Sequence, residues 1–325
     1  MILQASSEKL GLKEKCKATP DSIMQFMTTS EIYAVGVPII LMMIGLEVIF
    51  SVYKKRDLYS LGDTGGTLGL LAGNIFVSLS TQGLMLGLYF YLYQFRLITI
   101  NDLFPPWLII LATFLMVDLV FYWYHRASHR VRFLWAIHMN HHSSTEMNFS
   151  VAFRQAWFGP LSKVPFFICM PIIGFDPSIT LVVGVCSTLW GVVGHTQWID
   201  KLGWLDGIFN TPSNHRVHHG SNADYIDRNY GNLLIVWDRV FGTYAKEESP
   251  VIFGLVDNVG TNNPVAITFY TWASMIRDVR RARSLYEVCG YIFGPPDWIP
   301  AINPDSDAPL QNLTSLSIDQ GSEFR

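Results

Sequence analysis

The residues with the clearest chemical potential are histidines. All nine fall between positions 125 and 219, and the rest of the 325-residue chain contains none. They read His125-xxx-His129, then His138-xx-His141-His142, then a single His195, then His215-xx-His218-His219. On a helix, positions i, i+3 and i+4 share a face, so each box presents its imidazoles together. Neutral imidazole is a common ligand for iron, zinc, copper and nickel, and one such ion takes about four to six ligands. Nine rings are too many for one ion and suit two. A structural or pH-sensing cluster is the competing reading; three boxes this close together favour metal. His195 ends an apolar run, where it is either a further ligand or a hydrogen-bonded core histidine.

The third box, NHRVHHG, carries its own start and stop signals. Thr211 is placed to cap a helix, Pro212 to occupy its first position and Gly220 to end it, which predicts a short helix holding three rings. Ligand histidines usually donate their second ring nitrogen to a carboxylate, carbonyl or water. Asp118, Tyr122, His125 and His129 lie at i, i+4, i+7 and i+11, on one helical stripe. An acid inside an apolar segment is costly and usually functional, so Asp118 is expected to orient the ligand rings, with a capping or water-bound acid as the alternative. Glu146, Asn148, Asp224, Asp227, Asn229 and Tyr230 directly follow boxes two and three. They are candidates for the same role, and turn-forming polar residues are the other reading.

The segments that must position these rings are apolar. The chain is 50% hydrophobic and 14% aromatic, with only 15% charged residues, against ~25% in soluble domains. A net charge of −3 gives no footing for nucleic-acid binding. Cys16, Cys169, Cys186 and Cys289 show no CxxC spacing and read as free thiols. A bilayer crossing takes about 20 mostly apolar residues. Ile32–Tyr53, interrupted by Glu47, the uncharged stretch between Asp63 and Arg96, and Leu103–Tyr124 satisfy this. Val164–Gly194, broken by Phe175-Asp176-Pro177, is expected to be a tight helical hairpin that enters the bilayer and returns, with two shallow re-entrant pieces as the alternative. Lys54, Lys55 and Arg56 after the first span and Arg126, Arg130 and Arg132 after the third place those ends in the cytoplasm. Lys9, Lys13, Lys15 and Lys17 oppose an external N terminus, so its side stays open. The first 15 residues lack the order of a secretory signal and are expected to be retained.

After Gly194 the chain turns polar, as an extramembrane cap would. Phe269–Tyr286 places Trp272, Met275, Ile276 and Val279 at helical spacing among four arginines, a basic amphipathic helix suited either to the bilayer interface or to ordinary surface packing. The reading is an all-α integral membrane protein: three to four transmembrane helices plus a helical hairpin, under a cytoplasmic histidine-rich metal-binding cap. A polar segment covers residues 1–30, a single membrane-embedded domain with its cytoplasmic cap 31–300, and a disordered tail 301–325 that ends in residues two adjacent cloning sites would encode.

HxxxH, HxxHH and HxxHH after apolar spans resemble the fatty acid hydroxylase and sterol desaturase superfamily of integral-membrane oxygenases. DLVFYWYHRASHRVRFLWAIHMNHHSS, GHTQWID and TPSNHRVHHGSNADYIDRNYGNLLIVWDRVFGTY are most similar to its alkylglycerol monooxygenase branch and nearby bacterial proteins. The resemblance covers about residues 60–295. It implies a di-iron centre that activates O2 to hydroxylate or desaturate a lipid C–H bond. By position it carries the metal role to His125, His129, His138, His141, His142, His215, His218 and His219, with His195 matching an additional family histidine. It also implies an external electron donor: a reduced pterin in that branch, cytochrome b5 or a reductase in others. No GxGxxG follows a strand and no haem motif is present, so a nicotinamide or haem donor would be a separate redox partner protein. Hydroxylation of an ether lipid or acyl chain is expected. A C-5 type sterol desaturase and a non-redox zinc-dependent membrane hydrolase, with Glu146 as base, are the alternatives, and zinc in the purified protein is compatible with imidazole ligands. The membrane would be the endoplasmic reticulum in a eukaryote or the inner membrane in a bacterium.

Overall fold

The computed structural model describes residues 28–300; the expectations for the first 27 residues and for the tail 301–325 lie outside that range. Its α-helices in chain order are α1 (Thr29–Lys54), α2 (Leu61–Tyr93), α3 (Pro106–Arg130), α4 (Arg132–His142), α5 (Gly159–Phe167), α6 (Cys169–Ile173), α7 (Pro177–Val193), α8 (Pro212–His218), α9 (Val236–Val240), α10 (Pro264–Arg281) and α11 (Leu285–Phe293). No strand forms among the described residues; two isolated bridges, Phe209 to Leu234 and Gly220 to Phe253, stitch the last third.

Helices α1, α2 and α3 are long and apolar enough to cross a membrane. At about 1.5 Å per residue, even a 25-residue helix exceeds a hydrocarbon core of roughly 30 Å. Their outward faces carry exposed Ile49, Phe76, Leu79 and Leu84, a surface that calls for lipid rather than water. The boundaries have local causes. Thr28 and Glu31 form a reciprocal capping box at the start of α1, and Lys55 ends that helix in the left-handed conformation. Ser60 caps α2 by accepting from Asp63 N, and Pro106 opens α3 at a position where its missing N–H costs nothing.

The expected hairpin over 164–194 is only partly simple. Its second arm is the continuous α7, capped by Asp176 Oδ1, which accepts from Ser178 N at 2.8 Å. The first arm begins earlier, at Gly159, and breaks at Ile168 into α5 and α6. Pro165 and Pro171 each remove a backbone donor there, and two short helices replace one. The basic helix expected over Phe269–Tyr286 likewise divides: α10 ends at Arg281, and Ser284 caps a new helix, α11, by accepting from Glu287 N.

Buried charges tie the bundle to the histidine-bearing segments. Glu47, the one acid in the apolar stretch of α1 beyond its first turn, is fully buried and accepts from Phe149 N at 2.8 Å, from the Tyr59 hydroxyl and from Thr196 Oγ1. Arg154, also fully buried, donates to Asp63 Oδ1 at 3.0 Å on α2 and to Ser143 Oγ at 2.8 Å just past α4.

Replacing Glu47 with alanine strands three donors, each at a cost of roughly 1–3 kcal/mol. The thermal unfolding midpoint of the detergent-solubilised E47A protein is expected to fall by several degrees with helix content unchanged below the transition; an unaltered midpoint would show that Glu47 does not brace the bundle.

Candidate metal centre

Helix α3 runs past its apolar stretch and carries His125 and His129 in its last turns. Val131, in extended conformation at φ −117° and ψ 117°, breaks the helix, and α4 sets off in a new direction with His138, His141 and His142. His195 follows directly on α7, and α8 with its C-cap supplies His215, His218 and His219. All nine rings meet. They divide into two groups, His125, His129, His138, His142 and His218 in one and His141, His195, His215 and His219 in the other. Within each group every residue offers a ring nitrogen within 4.8 Å of all the others.

The division follows from helical spacing. On α4 the i and i+4 histidines, 138 and 142, enter the first group and the i+3 histidine, 141, enters the second. On α8 the assignment is reversed: 215 and 219 join the second group and 218 the first. Two short helices therefore supply both groups, and α3 and the end of α7 complete them.

Main-chain carbonyls hold the rings. His125 Nδ1 lies 2.7 Å from Tyr230 O, His195 Nδ1 2.8 Å from Gly191 O and His218 Nδ1 3.0 Å from Arg228 O. A carbonyl only accepts, so each of these rings carries its proton on Nδ1 and turns a bare Nε2 lone pair inward. There the Nε2 atoms crowd. His125 Nε2 is 3.0 Å from His138 Nε2, and His195 Nε2 is 3.0 Å from His215 Nε2 and 3.2 Å from His141 Nε2. The Nε2 atoms of His129, His218 and His219 are buried without any hydrogen-bond partner. Converging ring nitrogens, three of them partnerless, are what a transition-metal ion would satisfy, so the donor set fits the metal implied by the sequence.

Burial also keeps these rings neutral. It pushes His138, His141, His142, His215 and His219 well below the usual imidazole value, with neighbouring imidazoles adding to the effect. It lowers His195 to about 3 and His218 to about 4. Neutral rings are the metal-binding form.

The residues expected to orient the rings take different parts. Asp227 is the acid beside a histidine: its Oδ1 is 3.7 Å from His129 Nδ1, while Oδ2 accepts from Arg130 Nη1 at 2.7 Å. Tyr230 acts through its carbonyl on His125, and its ring packs 5.3 Å from that of His129. Asn229 touches no histidine; it is buried, clasps Asn214 O and both polar backbone atoms of Ala245, and with Asp227 adopts the left-handed backbone that turns the 227–230 loop inward. Asp118 does not reach the rings either. It accepts from Leu233 N, Leu234 N and Trp237 Nε1 at 2.9–3.1 Å and so anchors the loop whose carbonyls do. Tyr122 bonds Thr243 Oγ1 at 2.9 Å on the far side of the same loop. Asn148 caps a 3-10 turn at 149–153, Asp224 is solvent-exposed, and Glu146 is half-buried in a separate cleft of about 210 Å³ that no histidine lines.

Thr211 occupies the capping position of α8, but its hydroxyl donates to Asp206 instead of accepting from the helix. Gly220 follows the helix without a left-handed backbone; a Cβ there would meet Tyr225 at 2.9 Å and Val251 at 3.0 Å, so close packing is what its small size serves.

Several positioning residues escaped the sequence reading. Asp238 is buried, accepts from Tyr230 N and Gly231 N at 2.8 Å and thereby aims the Tyr230 carbonyl. Gly194 lets α7 abut α8, since a Cβ would lie 2.9 Å from His215 Cβ. Arg216, inside the third box, forms a paired contact with Glu247 at 2.7–2.8 Å and donates to Thr196 O and Ile199 O. Main-chain acceptors leave no side-chain signature, and a lone buried acid or glycine in a polar loop reads like any other turn residue.

Residues 110–243, which include every histidine, match the fatty acid hydroxylase family model. Over that segment the chain is similar to the fatty acid hydroxylase family. The chain is 35% identical over 267 residues to alkylglycerol monooxygenase of Xenopus tropicalis, covering 79% of this chain and 57% of the relative. It is 36% identical over 189 residues to the Homo sapiens protein of that name, covering 58% and 42%. It is also 30% identical over 130 residues to ornithine lipid hydroxylase OlsE of Rhizobium tropici, covering 40% and 39%. The chain thus spans about half the length of the curated relatives it matches. A Delta(7)-sterol 5(6)-desaturase and a lathosterol oxidase match at lower identity. No solved structure matches.

Depressed histidines give the protein a defined acid response in its metal-free form. An unfolded imidazole titrates near about 6.5, and the folded rings release their protons more readily, so the unfolded state binds more protons. Stability is complete above about 6.5 and falls as pH drops through that value toward the depressed folded values, about 4 for His218. Thermal melts of metal-free protein from pH 7.5 to 5 are expected to show a declining midpoint, and a flat profile would contradict the buried neutral rings. His218→Ala is expected to lower bound metal without changing membrane extraction; full metal content in this variant would remove His218 from the ligand set.

Proposed function

We propose that this chain is a membrane-bound lipid hydroxylase in which the two histidine groups each hold one iron ion. The observation that carries the reading is the convergence of nine imidazoles, seven of them buried and two partly so, into two sets that include partnerless nitrogens on His129, His218 and His219. His125, His129, His138, His142 and His218 would hold one ion and His141, His195, His215 and His219 the other. Bound iron supplies the redox capacity by which O2 is turned against an unactivated C–H bond, which zinc lacks.

The protein's own residues provide the setting. Carbonyls of Gly191, Arg228 and Tyr230 fix the protons on Nδ1 and keep the ring geometry rigid, so little reorganisation accompanies the reaction. The apolar segment from α5 to α7 and the aromatic rings around His125 and His129, including Phe121, Trp135 and Tyr230, exclude water from the centre. A lipid substrate reaches this rim of the bundle from the bilayer, between helices whose outer faces are already apolar. Electrons come from a donor outside the chain, a reduced pterin or a redox protein. The basic ends of α1 and α3 favour a cytoplasmic location for the centre.

Names of the relatives point to ether-lipid or acyl-lipid hydroxylation first. Sterol desaturation remains a second reading supported by the more distant matches. A zinc hydrolase is disfavoured, because Glu146, the base it would need, faces the separate cleft.

Anaerobically purified protein is expected to contain two irons per chain. In membranes supplied with each donor, it should insert an atom of labelled O2 into an alkylglycerol or acyl lipid. Formation of a sterol double bond without oxygen insertion would select the second reading. Stoichiometric zinc with O2-independent turnover would overturn the first.

A further inference from the structure

Helices α10 and α11 carry a surface that the histidine centre does not use. The inner face of α10, Ile267, Thr268 and Met275, is buried. One edge is lined by Val265, Phe269, Trp272 and Ile276 at i, i+4, i+7 and i+11; three of these are 44–52% exposed, and Trp272 is half-buried. Beside that edge, toward the C-terminal end of the helix, α10 exposes Arg277, Arg280 and Arg281, with Arg283 in the link to α11. None of these four guanidinium groups pairs with a carboxylate among the described residues; Asp278, between them, pairs instead with Arg132 on α4. On α11, Leu285, Cys289 and Phe293 fall at i, i+4 and i+8 and all face outward, Leu285 at 77% exposure.

This surface stands at a defined height on the bundle. The start of α10 is pressed against the first turns of α2, where a Cβ on Gly66 would lie 2.7 Å from Asn262 O and one on Gly69 2.5 Å from Pro264. Arg132, at the start of α4, donates its N–H to Gly294 O at 2.9 Å just past α11. The C-terminal ends of α1 and α3 and the N-terminal end of α2 share this rim, together with exposed Lys54, Lys55 and Arg56.

We infer that α10 and α11 form an interfacial clasp that binds the anionic phospholipid headgroups of the bilayer crossed by α1–α3, the arginine edge meeting phosphates and the apolar edge and outer face of α11 resting among the upper acyl chains. Charge complementarity selects this occupant: an apolar edge beside an unpaired cationic edge matches the layered polarity of a membrane surface. An acidic soluble partner would leave the exposed leucine, tyrosine and phenylalanine of α11 uncovered. The inference rests on the membrane placement proposed above and is independent of metal or turnover.

Cys289 offers a reporter on the outer face of α11. The full chain, with Cys16, Cys169 and Cys186 changed to serine, is labelled there with an environment-sensitive fluorophore and placed in nanodiscs of phosphatidylcholine, with or without one third phosphatidylglycerol. Spin-labelled lipids carrying the quencher near the headgroup end of the acyl chain are expected to quench the label. Native mass spectrometry should show phosphatidylglycerol retained above its bulk fraction, the preference weakening about fivefold, equivalent to roughly 1 kcal/mol, for each arginine removed in R277Q, R280Q, R281Q and R283Q. The exposed-lysine controls K201Q and K246Q are expected to leave it unchanged. Water-like emission, indifferent lipid retention, or cross-linking through Cys289 to a second copy would each overturn the clasp. Extraction of the protein from membranes by alkaline carbonate would instead overturn the membrane placement itself, so the two failures are distinguishable.

Discussion

Imidazole ring nitrogens drawn to about 3 Å of one another in a buried interior are the constraint that the rest of the structure serves. Burial disfavours the charged form of the rings, lowering His195 to about 3 and His218 to about 4. A cation would satisfy the partnerless nitrogens of His129, His218 and His219, while carbonyl acceptors fix the orientation of the His125, His195 and His218 rings.

Those carbonyls must themselves be immobile, and a chain of buried acids provides this. Asp238 grips the backbone on either side of the Tyr230 carbonyl, Asp118 grips the next turn of the same loop, and Asn229 joins it to the segment carrying α8. Arg216 then locks α8 to Glu247 and to the carbonyls after His195. Each charge is met by several donors or acceptors, which is the condition under which burial is tolerated. Glu47 and Arg154 repeat the device at the junction with α1 and α2, so the apolar helices and the ligand-bearing segments form one rigid unit.

Much of this was legible because histidine spacing and hydropathy are both periodic signals. The boxes at i, i+3 and i+4 required their helices, and the uninterrupted apolar runs required α1, α2 and α3. Proline and serine shifted the finer boundaries: Pro165 and Pro171 divided the hairpin arm, and Ser284 began a helix where periodicity alone predicted continuation. The partners of the rings were the least legible. Asp118 shared a stripe with His125 and His129, yet on a curved bundle surface one stripe can serve two neighbours. Its carboxylate faces the 233–237 loop while the rings face inward. The acceptors that do touch His125, His195 and His218 are backbone atoms, which every residue possesses and no sequence advertises.

The reversed allotment of α4 and α8 histidines, with the one-turn pair and the odd ring exchanged between the two helices, imposes a constraint on chain length. A single residue inserted or deleted between the histidines of either box would swing the rings that follow it by about 100°, and both pockets would lose ligands in the same event. The phase of these two helices is thus fixed by the two pockets together and cannot be altered for one alone.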